Sequence, residues 1–159
     1  MPSELAAAIA ALLTQRKETL AVAESSAGGL INAALVAVPG ASAYYLGGCI
    51  LYTAASRSFL SITKEEMAGK RSATEPYAQM IARRLREQLG ATWALSETGA
   101  AGPTGNRYGD AAGHACIAVS GPLEKVITVE TGSADRAANM ETFARRALGE
   151  LIAALRSAG

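Results

Sequence analysis

Hydrophobic positions recur along this chain with two different spacings. Near its start, Leu5, Ile9, Leu12 and Leu13 fall on one face of a helix, which predicts an amphipathic helix from residue 2 to about residue 16. Further along, helical patterns alternate with short apolar runs of strand length. The predicted strands are residues 19–24, 47–53, 92–99, 114–119 and 125–130, and the other predicted helices are residues 27–38, 74–90 and about 134–156. The segment at residues 54–62 is predicted to form a short helix or a turn.

This alternation predicts an α/β fold, a three-layer α/β/α single domain that covers residues 1–159. The sheet should be mixed, because the short connection "SGPLE" joins the last two strands as an antiparallel hairpin. Ligands of such sheets bind beyond the carboxyl ends of the strands. That rule selects the loops at residues 24–29, 52–57 and 98–113 as the candidate site.

Composition narrows the classes of function. The net charge is +1 and no block of basic residues occurs, which argues against nucleic acid as a partner. The two cysteines, Cys49 and Cys116, lie in apolar runs and are predicted to be buried thiols. With a single histidine they cannot form a typical zinc site. The first helix has neither the basic start of a signal peptide nor the length of a membrane span, so we expect a cytoplasmic protein that does not enter the membrane.

The stretch "AVAESSAGGLINAALVAV" places two serines and two glycines between a predicted strand and a predicted helix. Ser25 and Ser26 could simply cap that helix, since serine is a favoured N-cap residue. Alternatively one of them is a nucleophile at the helix N-terminus, where free N–H groups would complete an oxyanion hole. Gly28 and Gly29 would each destabilise a helix by about 1 kcal/mol, which the close approach of a ligand or of a neighbouring backbone would explain. His114 is the one histidine available as a base.

Four segments, read together, resemble a known family. They are "AVAESSAGG", "PGASAYYLGGCILYTAASR", "ATEPYAQMIARR" and "ETGAAGPTGN", and they are similar in order and position to motifs of the CinA C-terminal domain family. Characterised members of that family include nicotinamide-nucleotide amidohydrolases. The resemblance therefore implies deamidation of nicotinamide mononucleotide to nicotinic acid mononucleotide and ammonia, with no metal or organic cofactor. It also implies self-association into a homo-oligomer.

The resemblance assigns roles to three residues. Ser25 would be the nucleophile, Tyr52 would assist proton transfer, and the family's base lysine falls on Arg57. Arginine stays protonated up to a pH of about 12 and offers no free base. Arg57 would instead hold an oxyanion, a phosphate or a tyrosinate. Either Tyr52, activated by Arg57, takes the proton, or the reaction is slow or absent.

The small residues of the loops are expected to let backbone N–H groups approach a ribose phosphate. We expect Ser25, Tyr52 and Arg57 to converge and the loop at residues 98–106 to line the same cavity. The predicted substrate-binding residues are Ser26, Gly28, Gly29, Thr98, Gly99, Ala101, Gly102, Gly105 and Arg136. Three functions stay open: an active amidohydrolase, an inactive relative that binds a nucleotide or a protein, and a different serine hydrolase that uses His114.

Overall fold

Helices and strands alternate along most of the chain, which a computed structural model describes from residue 2 to residue 159. In chain order the elements are α1 (Pro2–Arg16), β1 (Leu20–Glu24), α2 (Leu30–Val36), β2 (Tyr45–Ile50), α3 (Glu75–Leu89), β3 (Trp93–Ala100), β4 (His114–Ser120), β5 (Lys125–Glu130) and α4 (Arg136–Ala158). Two 3₁₀ turns, Ala41–Ala43 and Ala54–Leu60, flank β2. The predicted elements are thus present, with shifted ends.

The five strands form one sheet in the order β2-β1-β3-β4-β5. β1 pairs in parallel with β2 and β3, whereas β4 runs antiparallel to both β3 and β5. The mixed sheet is therefore confirmed. The carboxyl ends of β1, β2 and β3 lie at one edge of the sheet, and this brings the three predicted loops together.

Each face of the sheet packs against helices, which gives the predicted three layers. Along β1, Leu20 and Val22 pack against α1, α2 and α4, while Ala21 and Ala23 face α3. Alternate residues of a strand point to opposite faces of the sheet. Because helices cover both faces, all five residues of β1 are buried. The larger core lies on the side of α1, α2 and α4.

The prediction of a helix from residue 27 is wrong at its start, because α2 begins only at Leu30. Gly28 and Gly29 have φ angles of +69° and +105°, in the left-handed region that other residues adopt only with strain. The two glycines therefore build a turn between β1 and α2. Neither serine caps a helix, since Gly29 occupies the N-cap position of α2.

Glu24, at the end of β1, receives the donors at the start of α2. Its carboxylate accepts hydrogen bonds from the N–H groups of Gly29 (2.8 Å), Ile31 (3.2 Å) and Asn32 (2.8 Å), and from the Asn32 side-chain amide (2.7 Å). Glu24 is completely buried. The N–H groups at this helix terminus are therefore occupied, and the hypothesis that they complete an oxyanion hole is wrong.

We predict that Glu24→Ala lowers the free energy of unfolding by about 3 kcal/mol or more, because it leaves several buried donors without an acceptor. Urea unfolding followed by circular dichroism measures this. The control is Glu141→Ala, an exposed position on α4, which should change stability by less than about 0.5 kcal/mol. Equal effects of the two substitutions would contradict the role assigned to Glu24.

Candidate active site

A cavity of about 430 Å³ lies at the edge of the sheet where β1, β2 and β3 end. All three predicted loops contribute to its wall. The residues that line it include Ser25, Ser26, Tyr52, Arg57, Tyr77, Thr98, Gly99, Ala101, Gly102, Thr104, Gly105, Asn106, Arg107, Tyr108 and Arg136. The structure thus brings Ser25, Tyr52 and Arg57 to one cavity, while their catalytic roles stay predictions.

Gly28 and Gly29 do not line this cavity, which corrects the expectation that they contact a ligand there. A Cβ atom on Gly28 would lie 2.8 Å from the Met140 side chain, and one on Gly29 would lie 3.3 Å from Ile50. The positive φ angles of the turn, rather than contact with a substrate, account for both glycines.

The turn that carries the two serines is held by a carboxylate that the sequence analysis did not identify. Glu97, in β3, accepts hydrogen bonds from the N–H groups of Ser25 (3.0 Å) and Ala27 (2.9 Å), and from the Ser26 hydroxyl. Glu97 is only 2% exposed. Burial raises the pKa of its carboxyl group above the usual range, and the three donors from the turn act in the opposite direction.

Ser25 differs from Ser26 in what its side chain contacts. The Ser26 hydroxyl donates to Glu97, and Ser26 is 5% exposed. The half-buried Ser25 has no hydrogen-bond partner for its hydroxyl among residues 2–159. Of the two side chains, the Ser25 hydroxyl is therefore the one left available to a ligand in the cavity.

Arg57 is held by Tyr77, which lies in α3 and is not among the predicted site residues. The Arg57 Nε–H donates to the Tyr77 hydroxyl (3.3 Å), and the guanidinium carbon lies 5.4 Å from the centre of the Tyr77 ring. This contact uses the planar shape and the Nε–H of arginine, neither of which lysine has. These two contacts with Tyr77 therefore hold the Arg57 side chain against the cavity wall.

The hydroxyl of Tyr52 has a different partner from the one expected. It accepts a hydrogen bond of 2.8 Å from Arg136, the first residue of α4. Arg136 also donates to the carbonyl of Gly102 and so ties α4 to the glycine-rich loop. The expected pairing of Tyr52 with Arg57 is replaced by a pairing with Arg136.

The charges around the cavity are of one sign. The cavity is lined by Arg57, Arg107 and Arg136. Within residues 2–159, no Asp or Glu side chain lines it. Arg107 donates to the Tyr108 hydroxyl (2.9 Å) and lies over its ring. Three guanidinium groups without an opposing carboxylate favour an anionic ligand.

The glycine-rich loop is braced by Asp110. Its carboxylate accepts hydrogen bonds from Arg71 (2.7 and 3.2 Å) and from the Asn106 amide (2.7 Å), and the Arg71 guanidinium holds the pKa of Asp110 down at about 2. A Cβ atom on Gly105 would lie 2.0 Å from the Asp110 carbonyl oxygen, so only glycine fits there. The N–H groups of Thr104 and Gly105 have no partner within residues 2–159.

His114 does not line the cavity. Its Nδ1 lies 2.5 Å from a Glu130 carboxylate oxygen and its Nε2 lies 2.8 Å from the Ala73 carbonyl oxygen. Both ring nitrogens are therefore engaged, and the hypothesis of a base that activates a serine from this position is wrong.

The two cysteines are free thiols. Cys116 is buried, as predicted, whereas Cys49 is half-buried, and burial raises the pKa of both thiols.

Across residues 2–159, His, Cys, Asp and Glu side chains do not gather into a group of three that could bind a metal ion. Over the same residues no helix has the length and apolar character that crossing a bilayer requires.

A family model of the CinA C-terminal domain matches residues 2–155. The chain belongs to the CinA C-terminal domain family. It is 40% identical over 119 residues to a CinA-like protein of Prochlorococcus marinus (strain MIT 9313), which covers 74% of this chain and 28% of that protein. A CinA-like protein of Gloeobacter violaceus is 37% identical over 131 residues, or 81% of this chain and 31% of that protein. The chain thus spans less than a third of these relatives.

Solved structures of the CinA superfamily share the whole fold. A competence-damaged protein (CinA) superfamily protein from Klebsiella pneumoniae 700603 superposes with a TM-score of 0.92 at 26% identity and covers 99% of both chains. One from Enterobacter cloacae gives a TM-score of 0.90 at 27% identity, over 98% of this chain and 92% of that chain. These similarities confirm the α/β fold and the family resemblance.

The Asp110–Arg71 ion pair gives a prediction about pH. Because the folded pKa of Asp110, about 2, lies below its usual value of 3.8, the pair stabilises the fold above about pH 4 and loses this effect as the pH falls towards 2. Arg71 is 35% exposed, so we expect a contribution of only about 1–2 kcal/mol.

Urea unfolding of the parent and of Asp110→Asn should accordingly differ by about that amount at pH 7 and converge near pH 2. Glu141→Gln, at an exposed position, provides the comparison. A difference between the parent and Asp110→Asn that stays constant from pH 7 to pH 2 would contradict the assignment.

Proposed function

We propose that this chain is an amidohydrolase that converts nicotinamide mononucleotide to nicotinic acid mononucleotide and ammonia. The observation that carries the proposal is the combination, in one cavity, of an unpartnered serine hydroxyl with three arginines and no carboxylate. Membership of the CinA C-terminal domain family supports it. The proposal concerns this chain alone and not the longer relatives that it matches.

In the proposed reaction the Ser25 oxygen attacks the carboxamide carbon of the nucleotide. The tetrahedral intermediate collapses, the C–N bond breaks, and the nitrogen leaves as ammonia once it is protonated. Water then hydrolyses the acyl-enzyme and restores the Ser25 hydroxyl. The proposal, like the family resemblance, assigns no metal or organic cofactor to these steps.

The phosphate of the nucleotide accounts for the positive wall. Arg107 and Arg136 can donate to phosphate oxygens. Thr104 and Gly105 line the same cavity, and their N–H groups have no acceptor within residues 2–159. Phosphate binding by exposed backbone N–H groups is common in glycine-rich loops. The loop at residues 98–113 is therefore the proposed phosphate site.

Proton transfer cannot rest on Arg57, since a guanidinium has no free electron pair to accept a proton at physiological pH. We assign the transfer to Tyr52, which lines the cavity and whose oxygen accepts a hydrogen bond from Arg136. Acting as the tyrosinate, it takes the proton of the Ser25 hydroxyl and passes it to the nitrogen that leaves as ammonia. The replacement of the family's base lysine also supports a second candidate function. In that case the chain binds a nucleotide but does not hydrolyse it.

The test is ammonia release from nicotinamide mononucleotide by the purified protein, with the acid product identified by chromatography. We expect both products from the parent and a loss of about 10²-fold or more in kcat for Tyr52→Phe. Binding of the nucleotide without ammonia release would refute the amidohydrolase and favour the binding function.

Arg57→Lys separates an anion-binding role from that of a damaged base. Lysine lacks the Nε–H that contacts Tyr77 and the planar group that lies over its ring, so we expect KM to rise about tenfold with no gain in kcat. Steady-state kinetics provide the measurement. Arg83→Lys, at an exposed ion pair with Glu124 outside the cavity, should leave both constants unchanged. A tenfold gain in kcat for Arg57→Lys would show instead that a lysine base had been lost.

A further inference from the structure

The backbone N–H groups of the turn at residues 25–29 are almost all occupied. Glu97 accepts from Ser25 and Ala27, the Ser25 carbonyl accepts from Gly28, and Glu24 accepts from Gly29. The Ser26 N–H is the exception, since it has no acceptor within residues 2–159. Within residues 2–159, the turn therefore leaves two hydrogen-bond donors without an acceptor, the Ser25 hydroxyl and the Ser26 N–H, on adjacent residues.

We propose that Glu97 is a positioning residue that holds this turn so that the Ser25 hydroxyl attacks and the Ser26 N–H stabilises the resulting oxyanion. The inference rests on the proposed amidohydrolase function and specifies how its nucleophile is presented. Glu97 does so by binding three other donors of the turn, namely the Ser25 and Ala27 N–H groups and the Ser26 hydroxyl.

The position of Glu97 in the sheet suits this role. It lies in β3, which pairs with β1 on one side and β4 on the other, so its backbone is fixed by two neighbouring strands. The preceding residue, Ser96, faces α3 and donates to the Ala78 carbonyl. Because side chains alternate along a strand, Glu97 points to the opposite face, where the turn after β1 lies.

The geometry also distinguishes the two serines. The Ser26 hydroxyl is bound to Glu97, whereas the Ser25 hydroxyl has no such contact. When a serine attacks an amide, negative charge develops on the carbonyl oxygen, and a fixed N–H donor stabilises it. The N–H of the residue that follows the nucleophile serves this purpose in serine hydrolases of an unrelated fold. Ser26 likewise follows the proposed nucleophile in the sequence, it lines the cavity, and its N–H has no acceptor within residues 2–159.

Substitutions at residue 97 separate positioning from direct proton transfer. In Glu97→Gln, the amide oxygen can accept both backbone N–H groups while the amide nitrogen donates to the Ser26 oxygen, so the turn keeps its contacts. In Glu97→Leu, a side chain of similar size offers no acceptor at all. Ser96→Ala is the matched control, since it removes a buried hydroxyl from the adjacent position on the other face of β3.

For ammonia release from nicotinamide mononucleotide, we expect Glu97→Leu to lower kcat by about 10–10³-fold with KM within about threefold of the parent. Glu97→Gln should restore kcat to within about fivefold of the parent, and Ser96→Ala should leave it unchanged. Ser25→Ala should have no measurable activity. If Glu97→Gln were as inactive as Ser25→Ala, Glu97 would be a base and the inference would be overturned. Full activity of Glu97→Leu would overturn it as well.

A second measurement does not depend on the substrate. A fluorophosphonate probe, which reacts with activated serines, is applied to each variant and the modified residue is identified by mass spectrometry. We expect labelling at Ser25 in the parent and in Glu97→Gln, and weak labelling in Glu97→Leu. Labelling at Ser26, equal labelling in all three, or none in the parent overturns the inference. Labelling as expected without ammonia release would instead refute the proposed substrate and retain the role of Glu97.

Discussion

Two buried carboxylates, Glu24 and Glu97, hold the turn between β1 and α2, and the arrangement of the site depends on them. A buried carboxylate without partners is costly by several kcal/mol, and so is a set of buried N–H groups without acceptors. Here each compensates for the other, because the carboxylates accept the N–H groups that the turn and the start of α2 would leave unpaired. The turn is thereby fixed in one conformation without help from a ligand.

The same arrangement separates the charges of the site into two layers. Glu24 and Glu97 lie behind the turn and are almost completely buried, whereas Arg57, Arg107 and Arg136 line the cavity in front of it. Donors from the turn and from α2 bind the acidic groups, and the charged side chains that line the cavity within residues 2–159 are all arginines. A positive cavity with a free serine hydroxyl suits an anionic substrate that carries an electrophilic carbonyl group.

Much of the fold could be predicted from the sequence, since the alternation of strand-length and helical patterns determines which elements form and the hairpin determines the antiparallel strands. The start of α2 could not, because Gly28 and Gly29 extend the apolar pattern of the helix while their left-handed φ angles make a turn. The spacing of apolar residues does not reveal a glycine with a positive φ angle. The sequence therefore predicted a helix from residue 27, next to the serines, whereas α2 begins only at Leu30.

Residues at or just beyond the carboxyl ends of strands could be predicted as site residues, whereas Glu97 and Tyr77, which hold the turn and Arg57 in place, could not. Ser25, Tyr52 and Arg57 follow strands, and the rule for ligand sites in α/β sheets selects them. Glu97 and Tyr77 lie inside β3 and α3, where their polar atoms contact partners distant in the sequence. A single charged residue in a strand of otherwise uncharged residues was the available signal for Glu97. Its partners on the turn could be identified only from the pairing of β1 with β3.

Amide hydrogen exchange, followed residue by residue by NMR, tests whether Glu24 and Glu97 bind the N–H groups of the turn at residues 25–29 and leave the Ser26 N–H free. This arrangement predicts slow exchange at Ser25, Ala27 and Gly29, whose N–H groups donate to Glu97 or Glu24, and fast exchange at Ser26 between them. Protection at Ser26 equal to that of its neighbours, or fast exchange at all four residues, would contradict it.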